Sequence, residues 1–202
     1  MYSVIIPTLW RAPEIHKLLS LLNQHELVGE IILIDNTGED HDVSHLRKVV
    51  YIKEETNTFV NPAWNKAVSL AKYENLCITN DDLVFPMDLL GYMLRHINKG
   101  IIGQHAGNYD RVNRGEYTIE KMDGREWGWG CLMFIQKSKW KNIPEDLLIA
   151  CGDDYLLKHV EGGGWMIKNV NLEYQRISNT SLSGEFFPIQ DKDLETFNKK
   201  YK

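Results

Sequence analysis

Two short apolar runs flanking a helical pattern constrain the fold of this chain most. Residues 2–6 are apolar and stop at Pro7, and Glu30-Ile31-Ile32-Leu33-Ile34 ends on Asp35-Asn36. Short runs without polar alternation suit strands buried on both faces of a sheet. Between them, Glu14 to Leu27 carries Ile15, Leu18, Leu19, Leu22 and Leu27 at helical spacing, with Pro13 where a first helical turn tolerates it. Strand, helix and strand in this order make a βαβ unit, whose crossover favours a parallel sheet.

The pattern then repeats. It predicts a strand near 48–52, a helix from about 62 to 72, and a strand at Leu76-Cys77-Ile78 that runs into Thr79-Asn80-Asp81-Asp82. A helix over 87–99, closed by Gly100, follows. Residues 104–126 are polar, glycine-containing and poorly periodic, and read as an irregular loop. Beyond Trp127-Gly128-Trp129-Gly130 the sequence predicts a strand at 131–135, a turn at 142–144, a helix over about 153–160, a strand near 165–170 and a polar tail. The expected architecture is α/β, a single Rossmann-like domain over 1–202 with a mostly parallel central sheet flanked by helices. At 202 residues the chain suffices for one well-buried core and is short for two domains.

Composition narrows the function classes. A formal charge of -5 gives no general attraction to phosphate backbones, so general nucleic-acid binding is not expected. The three cysteines, Cys77, Cys131 and Cys151, lack CxxC spacing, which suggests neither a zinc site nor a disulfide framework and fits a reducing cytoplasm. The start of the chain reads as a strand and not a signal peptide, and no run approaches the roughly 18 apolar residues of a membrane span. No HExxH, GxSxG, GxxxxGK[ST] or GxGxxG after the first strand occurs, which argues against zinc hydrolases, serine hydrolases, P-loop kinases and dinucleotide oxidoreductases.

Four constellations remain. Asn80-Asp81-Asp82 delivers adjacent carboxylates from a strand's carboxyl end into the crevice where open α/β sheets bind ligands, although a turn or a helix N-cap uses the same residues. Hard cations such as Mn²⁺ or Mg²⁺ take carboxylate and phosphate oxygens, and such a metal neutralises a departing diphosphate. Gly152-Asp153-Asp154 opens a helix and offers either an N-cap or a general base for an attacking hydroxyl. Asp35-Asn36 ends the second strand, as base- or ribose-binding residues do in nucleotide-binding sheets. Trp127 and Trp129, set among glycines, suit stacking on a sugar face or burial in the core.

The order of these pieces carries more than any one of them. Ser3-Val4-Ile5-Ile6-Pro7-Thr8, Glu30 to Asn36, Asn57 with Pro62-Ala63-Trp64-Asn65-Lys66-Ala67, Asn80-Asp81-Asp82 with Pro86, and Gly152-Asp153-Asp154 together resemble glycosyltransferase family 2, of the GT-A fold. The resemblance covers about residues 2–175. It implies that Pro7, Thr8, Asp35, Asn65, Thr79, Asn80 and Asp81 contact a nucleotide-diphosphate sugar, with Asp35 reading the base and Asp81 also holding Mn²⁺ or Mg²⁺. It implies that Asp154 is the catalytic base of an inverting displacement, with Asp153 in place of the family's glutamate. Trp64 stands where the family has arginine, Thr79 where many members have a first acid, and Gln175 where some have a metal-binding histidine. The expected acceptor is a glycan or another hydroxyl compound, met by Trp127 and Trp129. By this reading about 1–100 bind the donor, about 101–177 serve the acceptor and catalysis, and 178–202 form a tail or lid. No feature fixes the oligomeric state.

Two other readings share the fold. A sugar nucleotidyltransferase should carry a Gly-rich, Lys-containing loop after the first strand, where this chain has Thr8-Leu9-Trp10-Arg11-Ala12-Pro13. A non-catalytic nucleotide-sugar-binding module would keep the fold without turnover.

Overall fold

The structure is a computed structural model that describes residues 1–109, 115–174 and 183–202. Ten strands and five α-helices follow in order: β1 (Tyr2–Thr8), α1 (Glu14–Gln24), β2 (Val28–Asp35), β3 (Val49–Lys53), α2 (Val60–Leu70), β4 (Asn75–Thr79), β5 (Leu83–Val84), α3 (Asp88–Leu94), β6 (Ile101–Gln104), β7 (Thr118–Lys121), β8 (Leu132–Gln136), α4 (Gly152–His159), β9 (Gly164–Lys168), β10 (Glu173–Tyr174) and α5 (Phe187–Lys200). Eight strands form one sheet in the order β3-β2-β1-β4-β8-β6-β9-β7, and β5 pairs with β10 apart from it.

The sheet is mostly parallel, as the βαβ pattern requires. β1 pairs in parallel with β2 and β4, β2 with β3, and β6 with β9, while β8 runs antiparallel between β4 and β6, and β7 antiparallel on β9. Alternation along β1 sends Tyr2, Val4 and Ile6 into a core shared with α1 and α3, and Ile5 into a second core on the opposite face with α2 and α4. Buried on both faces, β1 and β2 have the unbroken apolar runs by which the sequence announces them.

Four expectations need correction. The helix expected over 87–99 stops at Leu94, and a 3₁₀ turn at Ile97–Lys99 follows. Residues 104–126, read as irregular, contain β7, whose mostly exposed residues hide a strand signal at the sheet's edge. Ile101–Gln104 forms a strand that the reading passed over. The tail holds a helix, α5, whose Phe197 packs into the second core. Among the described residues no helix is long and apolar enough to cross a membrane.

Candidate functional site

The cleft opens where the central strands part. β1 stays paired with β2 as far as Thr8 opposite Asp35, but its ladder to β4 stops at Ile5 opposite Ile78. Pro7, which has no N–H for a ladder, lies beyond that last pair. With β2 on one side of β1 and β4 on the other, this is the switch point at which open α/β sheets bind ligands. A cavity of about 350 Å³ occupies it, a size typical of small-molecule sites.

Two carboxylates form one wall. Asp81 and Asp82 both line the cleft at the turn after β4. Burial pushes the Asp81 carboxyl up to about 7; a 2.6 Å hydrogen bond donated by the Thr8 hydroxyl works against this, and the neighbouring Asp82 charge adds to it. Burial also pushes Asp82 up to about 6, with Glu14 contributing. Thr8 is fixed in turn by the Trp10 backbone N–H, which donates to its Oγ1 at 2.8 Å.

The facing wall is built by α4 and the segment before β8. Asp153 lines the cleft, and its carboxyl is raised by burial and by the Asp154 charge, with Arg125 opposing. Gly130 permits this placement, because a Cβ there would come within 2.8 Å of the Asp153 carboxylate. Asp154 itself does not line the cleft; its Oδ1 lies 3.2 Å from Nε of Arg125, which does. The N-terminal residues Phe59–Val60 of the α2 region and Cys151–Asp153 of the α4 region border the same space, and free N–H groups at helix starts favour anions such as phosphate. Trp10, Phe59 and Cys151 all hold positive φ without being glycine, a cost of order 1–3 kcal/mol each that such sites concentrate.

The third wall comes from α5, which the sequence reading did not include in the site. Phe186 and Gln190 line the cleft, and Glu185 pairs with Arg11. One turn further, Asp193 is 1% exposed and its Oδ2 accepts the backbone N–H groups of Leu148, Ile149 and Ala150 at 3.0, 2.6 and 2.8 Å. The segment leading into α4 is thereby tied to α5.

Of the residues the sequence singled out, Pro7, Thr8, Asn80, Asp81, Trp127 and Asp153 meet at the cleft. Trp127 is 61% exposed and packs its ring at 5.0 Å from that of Tyr109. Five others stand elsewhere. Trp129, expected to meet the acceptor, is 1% exposed and lies beneath the cleft: its Nε1 donates to the Trp165 carbonyl and its ring occupies the space left by Gly103, where a Cβ would come within 2.4 Å. Asn65 binds the backbone of Ile143 and the indole of Trp140, and so supports a turn. Thr79 is fully buried at the end of β4. Asp154 is engaged with Arg125 as described.

Asp35 is the fifth. Its Oδ1 accepts from the Thr37 backbone and hydroxyl, and its Oδ2 accepts from Trp10 Nε1 at 2.6 Å and Tyr51 OH at 2.7 Å, with His41 Nδ1 also at 2.7 Å. Burial opposes the charge, but the bonds from Thr37, Tyr51 and Trp10 outweigh it and hold the carboxyl below the usual range. Trp10, so held, stacks on His41 at 4.5 Å. Gln175, the expected counterpart of a metal-binding histidine, lies outside the described residues.

A sheet with its crevice at the β1 switch point and acidic residues on both walls defines the GT-A class of glycosyltransferase folds. The chain belongs to glycosyltransferase family 2: the model for "Glycosyl transferase family 2" matches residues 3–170. Solved structures agree on the fold. S. aureus TarS 1–349 superposes with a TM-score of 0.63 at 17% identity, over 99% of this chain and 72% of that one. The same protein in complex with UDP-GlcNAc gives 0.62 at 16% identity, over 100% and 68%. The mannosyltransferase PcManGT from Pyrobaculum calidifontis, in complex with GDP-Man and Mn²⁺, gives 0.57 at 16% identity, over 82% of this chain and 56% of that one. The chain thus spans little more than half of the mannosyltransferase's length. No curated protein sequence matches it.

Proposed function

We propose that this chain transfers a sugar, with inversion, from a nucleoside-diphosphate sugar to an acceptor hydroxyl, most simply on a glycan. The observation that carries this reading is one cleft lined by Asp81, Asp82 and Asp153, with Asp154 paired to Arg125, which also lines it. The donor's nucleotide is assigned to the side formed by Pro7, Thr8 and Asn36, within residues 1–100, and the acceptor to the side of Trp127, within 101–177. Asp35 acts on the base side by fixing Trp10, since its own acceptor capacity is taken up by Thr37, Tyr51, His41 and Trp10. Asn65 and Thr79 support the site from outside it.

The chemistry of the Asp81 site fits a divalent cation. Asp81 and Asp82 are two desolvated carboxylates that no basic side chain pairs with among the described residues, and hard cations take such oxygens together with phosphate oxygens and water. Among the described residues no three His, Cys, Asp or Glu side chains converge on one point, so Asp81, with Asp82 beside it, would hold Mn²⁺ or Mg²⁺ jointly with the substrate. When bound, the metal stabilises the charge of the leaving diphosphate.

Asp154, at the position that matches the family's base, takes the acceptor hydroxyl's proton as that oxygen attacks the anomeric carbon from the face opposite the diphosphate. Arg125 Nε, 3.2 Å from its Oδ1, directs the carboxylate. Asp153 supplies a second carboxylate on the cleft wall, for orienting the acceptor. Calorimetric titration of UDP, GDP, CDP and dTDP and their sugars, with Mn²⁺ and then with EDTA, tests the donor half. Release of nucleotide in an acceptor screen tests transfer. Metal-dependent binding of one nucleotide with transfer is the expected result; binding without transfer to any acceptor would make the chain a binding module instead.

A further inference from the structure

Two side-chain N–H groups of residues lining the cleft have no hydrogen-bond partner among the described residues, Trp64 Nε1 from α2 and Gln190 Nε2 from α5. Both atoms are buried and both residues line the cleft. Trp64 is 5% exposed. On α5, Gln190 lies between Phe186 and Asp193 on the inward face, and the contrast with Asp193 is informative. Asp193 is buried and satisfied by three backbone N–H groups, whereas the Gln190 amide one turn earlier is buried and unsatisfied. A buried donor without an acceptor costs more than a hydrogen bond gains, so folded proteins retain few. Two such donors lining one cleft are accounted for when a ligand brings the acceptors.

The surroundings limit what that ligand group can be. Val60, Ile149, Ala150 and Phe186 make this stretch of wall apolar. Arg11, over the Phe186 ring, is neutralised by Glu185. The group received is therefore an oxygen acceptor on a body with an apolar face. The wall also adjoins Cys151 and Asp153, where the transfer would occur. We propose that Trp64 Nε1 and Gln190 Nε2 form a subsite that reads a hydroxyl or acyl carbonyl of the transferred sugar. This rests on the nucleotide-sugar reading above and adds to it a specificity element carried by α5.

The test compares Trp64→Phe and Gln190→Met with the wild-type chain, each titrated calorimetrically with UDP, GDP, CDP and dTDP and with the corresponding nucleotide sugars, and each melted thermally. Both changes remove the N–H; Gln190→Met keeps bulk, whereas Trp64→Phe also gives up some core volume. The expected result is unchanged binding of the nucleoside diphosphate and about a tenfold weaker binding of its sugar conjugate for each variant. The Tm of ligand-free Gln190→Met should be unchanged or higher, because an orphaned donor has been removed, while that of Trp64→Phe falls by the cost of the lost core volume. Unchanged sugar-conjugate binding in both variants overturns the subsite, as does an equal loss on the bare diphosphate. A lower Tm of Gln190→Met with unaltered binding makes that group structural and also overturns it. Failure of the wild-type chain to bind any of the compounds overturns the nucleotide-sugar reading and the subsite together, which separates that failure from failure of the subsite alone.

Discussion

The Asp81 carboxyl, raised to about 7 by burial, makes the folded chain sensitive to pH in a definite direction. An unfolded chain gives up this proton near about pH 3.9. Between the two values the native state holds a proton that the unfolded state has lost, so stability is greatest at the acid end and falls as pH rises through the window. A difference of about three pH units at roughly 1.4 kcal/mol each sets a ceiling of about 4 kcal/mol, and water in the open cleft reduces this to about 2 kcal/mol. For a chain of this size each kcal/mol moves Tm by about 2–4 °C. Asp81→Asn keeps an acceptor for the Thr8 hydroxyl and removes the charge. Thermal melts in metal-free buffer between about pH 5 and 8, which cross about two thirds of the window, should show the wild-type chain losing about 3–5 °C more than the variant. His96, lowered by burial and by Lys99 and Arg95, contributes with the opposite sign, but is present in both proteins and cancels in the difference. Mn²⁺ at the alkaline end should raise the wild-type Tm and leave that of the variant nearly unmoved. A variant Tm at or below the wild-type value near pH 8 would mean that the carboxylate is well solvated where it stands, and the desolvation argument would fail.

Three further outcomes follow from the same geometry. Asp154→Asn should lower turnover by about 10²–10⁴-fold with donor binding intact, and Asp153→Asn should cost less in turnover and more in acceptor KM; the reverse ranking in steady-state kinetics would give the base's place to Asp153. Asp193→Ala strips three backbone N–H groups of their acceptor and should destabilise the fold by roughly 3 kcal/mol, or about 6–12 °C in Tm, measured by calorimetric melting. Trp127→Ala should raise acceptor KM about tenfold while calorimetry shows donor binding unchanged, since an exposed ring at the cleft mouth can act by stacking alone.

The first half of the fold was legible because its strands are buried on both faces and its crossover helix is amphipathic, so β1, α1 and β2 announce themselves by period. β7 escaped because three of its four residues are exposed, and a strand at the sheet edge needs no apolar run. α5 escaped for a different reason. Its inward stripe is Phe186, Gln190, Asp193 and Phe197, in which polar residues at the two middle positions erase the apolar period while serving the cleft and the segment before α4. The site residues divide along the same line. Asn80 and Asp81 lie beyond the last pair of β4 and turn into the cleft, whereas Thr79, the final residue of the strand, is still locked into the sheet opposite Leu132. Neighbours in sequence therefore differ in whether they reach the cleft. Asp35 shows the limit of reading a residue from its position. Its place at the end of β2 follows from the apolar run before it, but that its charge is spent on Thr37, His41, Tyr51 and Trp10 depends on contacts from β3 and two loops. Mutation of Asp35 should therefore act first on Trp10, because the indole stacked on His41 loses the carboxylate that holds it.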